Sequence, residues 1–301
     1  KHMLPKLGVE VRFSADDTAA SMEGLIDDKT TAVFCESIGN PAGNVVDIEA
    51  IAKMAHEHGV PLIVDNTVAT PALIKPIEWG ADIVVNSLTK YMAGHGNSLG
   101  GVIVDSGEFP WGDYPEKFHM LTQPEESYHG VVYTEALGAA AYIGRVRTVP
   151  LRNTGSALSP MNALLILQGL QTLPLRMERH CDNALAVAKY LSEDSRVELV
   201  NFAGLPDSPY YDLAKIYTDG KPSALLSFGI KGGFDTAVKF YDALEMFLRL
   251  VNIGDVKSLA AHPASTTHRQ LSEEELESAG VTHDMIRLCI GIEHIDYIIA
   301  D

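Results

Sequence analysis

Lys90 stands just past an apolar run of β-formers, ADIVVNS (81–87), and just before a glycine-rich turn, GHGNSLGG (94–101). Asp65 ends a second such run, LIVD (62–65), and Thr67 follows it closely. An amine and a carboxylate, each at the C-terminal end of a strand, suit few chemistries. Pyridoxal phosphate (PLP) chemistry is one. It needs a lysine amine for the Schiff base and an acid that keeps the pyridine nitrogen protonated, so that the ring accepts electrons. Ser87 and Thr89 flank the approach to Lys90, and their hydroxyls can hold a phosphate. The glycines that follow allow close backbone approach. The plainer readings are a surface lysine and a turn aspartate. The neighbouring hydroxyls and glycines turn the balance for Lys90, while Asp65 stays open between the two.

Three further residues are candidates. Asn40, in ESIGNP, is either a turn former or an amide that bonds the phenolic oxygen of the cofactor. Arg287 lies in an apolar run, IRLCIGI, where an unpaired arginine is rare. It is either half of a structural ion pair or a two-pronged clamp for a substrate carboxylate. Ser258, in VKSLAAHPAS, is a weaker signal, since most loop serines only make turns. No metal is expected: His56 and His58 are two apart and point to different helix faces, and His262 and His268 lack a third ligand at useful spacing. No P-loop pattern is present.

These residues need a scaffold that gathers strand ends. VEVRF (9–13), AVFCESI (32–38), PLIVDNT (61–67), ADIVVNS (81–87) and GGVIVDS (100–106) read as strands. Residues 47–59 read as an amphipathic helix, capped by Asp47 and ended by Gly59. The strands are near-continuous apolar runs, which predicts a mainly parallel sheet covered on both faces. Ligands of such sheets collect at the carboxyl ends of the strands. Residues 36–40, 65–67 and 87–90 all fall there. Residues 107–133, polar and aromatic, read as a long surface excursion. Helices are expected at 159–173, 176–194 and 234–247, the last capped by Asp235, with strands at 224–230 and 287–292. This second half reads as a smaller α+β domain.

Composition narrows the classes. Hydrophobic residues make up 46% of 301, enough for a substantial core, in two domains by length. A net charge of −17 argues against nucleic acid or an anionic membrane as partner. No apolar run reaches the roughly 18–20 residues of a membrane span. The three cysteines follow no disulfide or zinc spacing, so buried free thiols in a reducing cytoplasm are expected. The opening residues carry no secretory pattern. LPKLGVEVRF reads as the end of a helix followed by a strand, and EHIDYIIAD as a helix cut short. Further residues are therefore expected beyond both ends, most of them upstream.

ESIGNP, VDNT, NSLTKYMAGHG, SPMNALLILQGLQTLPLRMERH, HPASTTH and RLCIGIE occur in an order that resembles the PLP-dependent transsulfuration family of Cys/Met metabolism. The likeness spans nearly the whole chain. It implies the fold-type I, aminotransferase-like α/β fold, with a PLP-binding large domain over 1–174 and a small domain over 175–301. It implies pyridoxal 5'-phosphate on Lys90, Asp65 at the pyridinium, and Ser87, Thr89 and Thr67 as further cofactor contacts. Asn40 would face the ring oxygen and also the substrate. Ser258 and Arg287 would hold the substrate carboxylate. GHGNSLGGVIVDSGEFPW, YHGVVY, GLPDSPYYDLAKIY and THRQL resemble the sulfhydrylase branch. That branch implies γ-replacement on O-acetylhomoserine by sulfide or a carrier thiol, giving homocysteine for methionine biosynthesis. A methionine γ-lyase, a cystathionine γ-synthase type and an O-succinylhomoserine sulfhydrylase are the alternatives. The family also implies a homotetramer. Its phosphate-binding glycine loop and ring-stacking tyrosine should lie upstream of residue 1.

Overall fold

The computed structural model describes residues 3–278 and 280–301. Its first sheet is built from β1 (Val33–Glu36), β2 (Leu62–Asp65), β3 (Ile83–Ser87) and β4 (Gly101–Asp105), in that spatial order. β1, β2 and β3 run parallel, and β4 returns antiparallel to β3. Helix α1 (Ile48–Glu57) connects β1 to β2. Asp47 caps it through the Ala50 N–H, and Gly59 at φ 62° turns the chain back toward β2. Ile48, Ile51, Ala52 and Ala55 form its buried face, as the 3.6-residue period predicts.

Helices α2 (Pro160–Leu170) and α3 (Leu173–Glu193) lead into the second half. Ser159 caps α2 through the Asn162 N–H. The second sheet has the order β5 (Val197–Asn201), β6 (Leu225–Ile230), β9 (Met285–Cys289), β8 (Leu259–Ala261), β7 (Leu248–Arg249). Only the β7–β8 pair is parallel. β6 and β9 are buried at every position. The expected boundary at 174/175 falls in the first turn of α3. One hydrophobic cluster contains Val64 and Leu62 of the first sheet and also Phe228 and Leu288 of the second.

Four expectations change. Residues 9–13 form no strand. An extended segment becomes a strand only by pairing, and here Arg12 bonds Glu10, the Leu25 carbonyl and Asp27 instead. The sheet is less covered than its apolar runs suggest, since Phe34 of β1 is 57% exposed and β4 is partly open. Residues 107–133 are no mere excursion: Phe109, Trp111, Leu121 and Tyr133 are buried in a cluster with Ile83, Ile63 and Val85. The helix expected at 234–247 runs Gly233–Ala243, with Gly232 at its cap and Asp235 inside the first turn. The thiols behave as expected, with Cys35, Cys181 and Cys289 all free and buried.

Candidate active site

The register of the parallel strands places the first group of residues. Glu36 pairs with Asp65, and Asp65 with Val85. Paired residues of parallel strands point to one face, and alternation adds Ser87, two beyond Val85. Glu36, Asp65 and Ser87 thus share a face at the carboxyl ends of three strands. The aromatic cluster packs lower on that face, against Ile63, Ile83 and Val85. The Thr67 N–H donates to Asp65 Oδ1 at 2.9 Å, and the Ser87 N–H donates to Thr67 Oγ1 at 2.8 Å. Thr67 therefore ties the end of β3 to the end of β2. Behind them, buried Asn66 accepts from Ser37 Oγ at 2.7 Å and donates to the Ile74 carbonyl at 2.8 Å.

The second group is a chain of polar contacts that crosses between the sheets. Lys90 Nζ donates to Asn252 Oδ1. Arg287 Nη2 donates to the carbonyls of Val251 (2.7 Å) and Asn252 (3.1 Å), and its Nη1 reaches Asn40 Oδ1 at 3.3 Å. The Asn40 N–H in turn donates to Glu36 Oε2 at 3.2 Å. Glu36 opposite Asp65 closes the link between the groups. Burial lowers the Lys90 amine below the ordinary lysine value, and the charge of Arg287 lowers it further. Such a shift makes the neutral, nucleophilic form of the amine easier to reach than in an exposed lysine. Burial raises the Glu36 carboxyl, and neighbouring Asp65 adds to the rise.

Thr89 and Ser258 stand apart from their expected roles. The Thr89 hydroxyl donates to the Gly100 carbonyl and accepts the Gly100 N–H at 3.1 Å, closing the turn. Ser258 is fully buried. Its hydroxyl donates to Glu293 Oε2 at 2.9 Å and accepts the Gly291 N–H at 2.9 Å. Leu259 pairs with Cys289 and Ala261 with Arg287, so Ser258, one residue earlier, faces the side opposite to Arg287. The structure does not bring its hydroxyl to Lys90. Asn252 occupies that place instead, and sequence reasoning missed it along with Glu36. The one signal for Asn252 was the nearby Gly254, whose φ of 76° lets the loop pack against the Lys90–Tyr91 peptide.

The donors and acceptors left over suit pyridoxal phosphate. Asp65 engages the protein through Oδ1 alone among the described residues, which leaves Oδ2 for a pyridinium N–H. The buried Nε of Arg287 has no acceptor among the described residues. Together with the Lys90 amine, whose pKa is lowered beside Arg287, the set matches a ring nitrogen, an aldehyde and a substrate carboxylate.

Comparison with known proteins agrees. The family model described as "Cys/Met metabolism PLP-dependent enzyme" matches residues 1–301. The chain is 48% identical over 309 residues to an O-acetyl-L-homoserine sulfhydrylase of Leptospira meyeri, covering all of this chain and 70% of that protein. It is 49% identical over 302 residues to a homocysteine synthase of Schizosaccharomyces pombe, again covering all of the chain and 70% of the relative. A Campylobacter jejuni protein named as an O-acetylhomoserine (thiol)-lyase matches with a TM-score of 0.93 and 42% identity, over the whole of this chain and 72% of that one. Its crystal structure contains N'-pyridoxyl-lysine-5'-monophosphate.

Proposed function

The chain belongs to the Cys/Met metabolism PLP-dependent enzyme family, and from that premise we propose that it converts O-acetyl-L-homoserine and sulfide to L-homocysteine and acetate. The observation that carries the reading is the Lys90 amine, lowered in pKa and held by Asn252 beside the guanidinium of Arg287.

Pyridoxal phosphate bound at Lys90 would supply an electron sink next to the substrate α-carbon. Lys90 is its point of attachment, and Asp65 accepts the pyridinium N–H. Ser87 offers a hydroxyl to the phosphate. Thr67 and Thr89 hold the backbone around it, through Ser87 and Gly100 respectively. Arg287 binds the substrate carboxylate through Nε, and Asn40 keeps Nη1 in line. Asn252 directs the free Lys90 amine, which takes the proton from the substrate Cα and moves protons among the substrate's Cα, Cβ and Cγ. Ser258 supports the site from behind by holding Glu293.

A steady-state assay tests this. The loaded enzyme should form homocysteine from O-acetylhomoserine only when sulfide is present, and less from the O-succinyl ester. Release of 2-oxobutanoate and ammonia without sulfide would identify a lyase instead. The chain further works as a homotetramer in the cytoplasm. Leu164 and Leu167 on α2 are 52% and 60% exposed, an apolar surface that suits a second copy. No helix among the described residues is long and apolar enough to cross a membrane. Light scattering of the purified protein checks the assembly.

A further inference from the structure

Arg176, on the first turn of α3, is buried, and each of its hydrogen bonds ends on a neutral oxygen. A buried charge without a counter-charge is costly. A methionine would fill the position without that penalty, as Met177 does next to it. The acceptors indicate what the charge is for. Nη1 donates to the Tyr91 carbonyl at 2.7 Å, and Nη2 to the carbonyls of Met92 (3.2 Å) and Gly169 (2.7 Å). Nε is held by Thr172 Oγ1 at 3.1 Å. Tyr91 and Met92 are the two residues directly after Lys90.

The turn is shaped around this fork. The Gly94 N–H closes it onto the Lys90 carbonyl at 2.8 Å. Gly94 has φ 78°, and a Cβ there would collide with Arg176 Nη1. Gly169 is equally required: a Cβ on it would strike the Ala93 carbonyl. On the other side the Val256 N–H donates to the Gly94 carbonyl at 2.8 Å, and Gly254 packs on the Lys90–Tyr91 peptide. The backbone of Lys90 therefore lies between a guanidinium fork and a glycine-bearing loop.

We propose that Arg176 is a positioning residue for the reaction. By fixing the Tyr91 and Met92 carbonyls it sets where the amine stands relative to Asn252 and Arg287. The proposal rests on the reading of Lys90 as the proton carrier. A guanidinium serves because one planar group can bind several carbonyls in a fixed geometry, which an ammonium cannot do.

The test follows acetic anhydride labelling of Lys90 in cofactor-free protein, by mass spectrometry across pH, beside kinetics of the loaded enzyme. In the wild type Lys90 should label with a pKa below that of the exposed lysines. Arg176→Met should return that pKa toward the ordinary lysine range, because a loosened turn re-exposes the amine. It should also lower kcat about 10–100-fold, with KM changed less than about threefold, as for a misplaced catalytic group. Arg176→Lys keeps the charge but not the fork and should show the same defect in milder form. It carries the test if the methionine variant does not fold. Arg179→Gln, exposed on the next turn, should change nothing. A lowered melting temperature with unchanged Lys90 labelling and kcat in both Arg176 variants would overturn the proposal. Failure of both to fold would also overturn it, by assigning Arg176 to architecture alone. If the wild type does not turn over O-acetylhomoserine with sulfide, the reaction assignment falls, while the labelling profile still decides the role of Arg176.

Discussion

Two arginines are buried in this molecule, 5% exposed at Arg176 and 4% at Arg287, and they are used differently. Every nitrogen of the Arg176 guanidinium has a protein acceptor. Arg287 bonds Asn40 and two carbonyls but keeps a buried Nε without an acceptor among the described residues. Burial lowers the pKa of both. Neither burial nor charge separates them; spare hydrogen-bonding capacity does. A buried cation with an acceptor at every nitrogen organises the backbone, whereas one with a bare nitrogen is waiting for an anion.

The contrast is sharpest at Lys90, whose amine feels the charge of Arg287 and whose following turn is held by Arg176. Lys90→Ala should lower turnover at least about 10⁴-fold, since it removes both the attachment point and the proton carrier. A variant with near-normal rates would remove the reference against which the arginines are compared. Arg287→Ala should come next, with kcat/KM down about 100-fold and most of the loss in KM. If kcat alone falls, Arg287 resembles Arg176 more closely than its free nitrogen suggests.

His180 extends the comparison to pH, because it sits on α3 one turn beyond Arg176. Its ring is fully buried and Nδ1 bonds the Ile290 carbonyl at 2.6 Å. Burial lowers its pKa from 6.5 to about 4, against a smaller opposing effect of that hydrogen bond. Between these values the unfolded chain binds more protons than the folded one, so stability rises with pH across the window and is lost on acidification from 6.5 toward 4. The full effect is roughly 3 kcal/mol, at about 1.4 kcal/mol per tenfold. Urea midpoints at pH 7 and 4.5 should diverge in the wild type and converge in part for His180→Asn. Equal slopes in the two proteins would show that the ring is not what titrates.

The smallest effect is expected at Ser258. Ser258→Ala should cost about 1–2 kcal/mol of stability, because Glu293 and the Gly291 N–H each lose a partner. It should leave KM nearly unchanged. A rise in KM comparable to that of Arg287→Ala would return Ser258 to the substrate carboxylate.

Legibility followed the range over which each feature is encoded. Lys90, Asp65 and Asn40 stand out as candidates because strand ends, turn glycines and a proline lie within a few residues of them. Arg287 was noticed because a cation in an apolar run is locally anomalous. Ser258 and Asn252 lie six residues apart in one loop, and nothing local distinguishes them. Strand pairing does: the Ala261–Arg287 and Leu259–Cys289 partners send the serine away, and the loop at Gly254 brings the asparagine in. Residues 107–133 were misjudged for the same reason, since polar residues outnumber the few aromatics that reach Ile83.

The linear order of residues determined by itself the alternating helices and strands, the amine and carboxylate at neighbouring strand ends, and the absence of disulfide spacing. Each depends on periodicity or turn chemistry that acts over fewer than about ten residues. Only the tertiary structure decided which side chains meet across the two sheets. It placed Asn252 against Lys90, joined Arg287 to Asn40, paired β4 antiparallel, and set Arg176 behind the turn that carries the amine. Those contacts join residues tens to hundreds of positions apart. Such contacts depend on the packing and register of whole elements, to which a short stretch of sequence contributes only part.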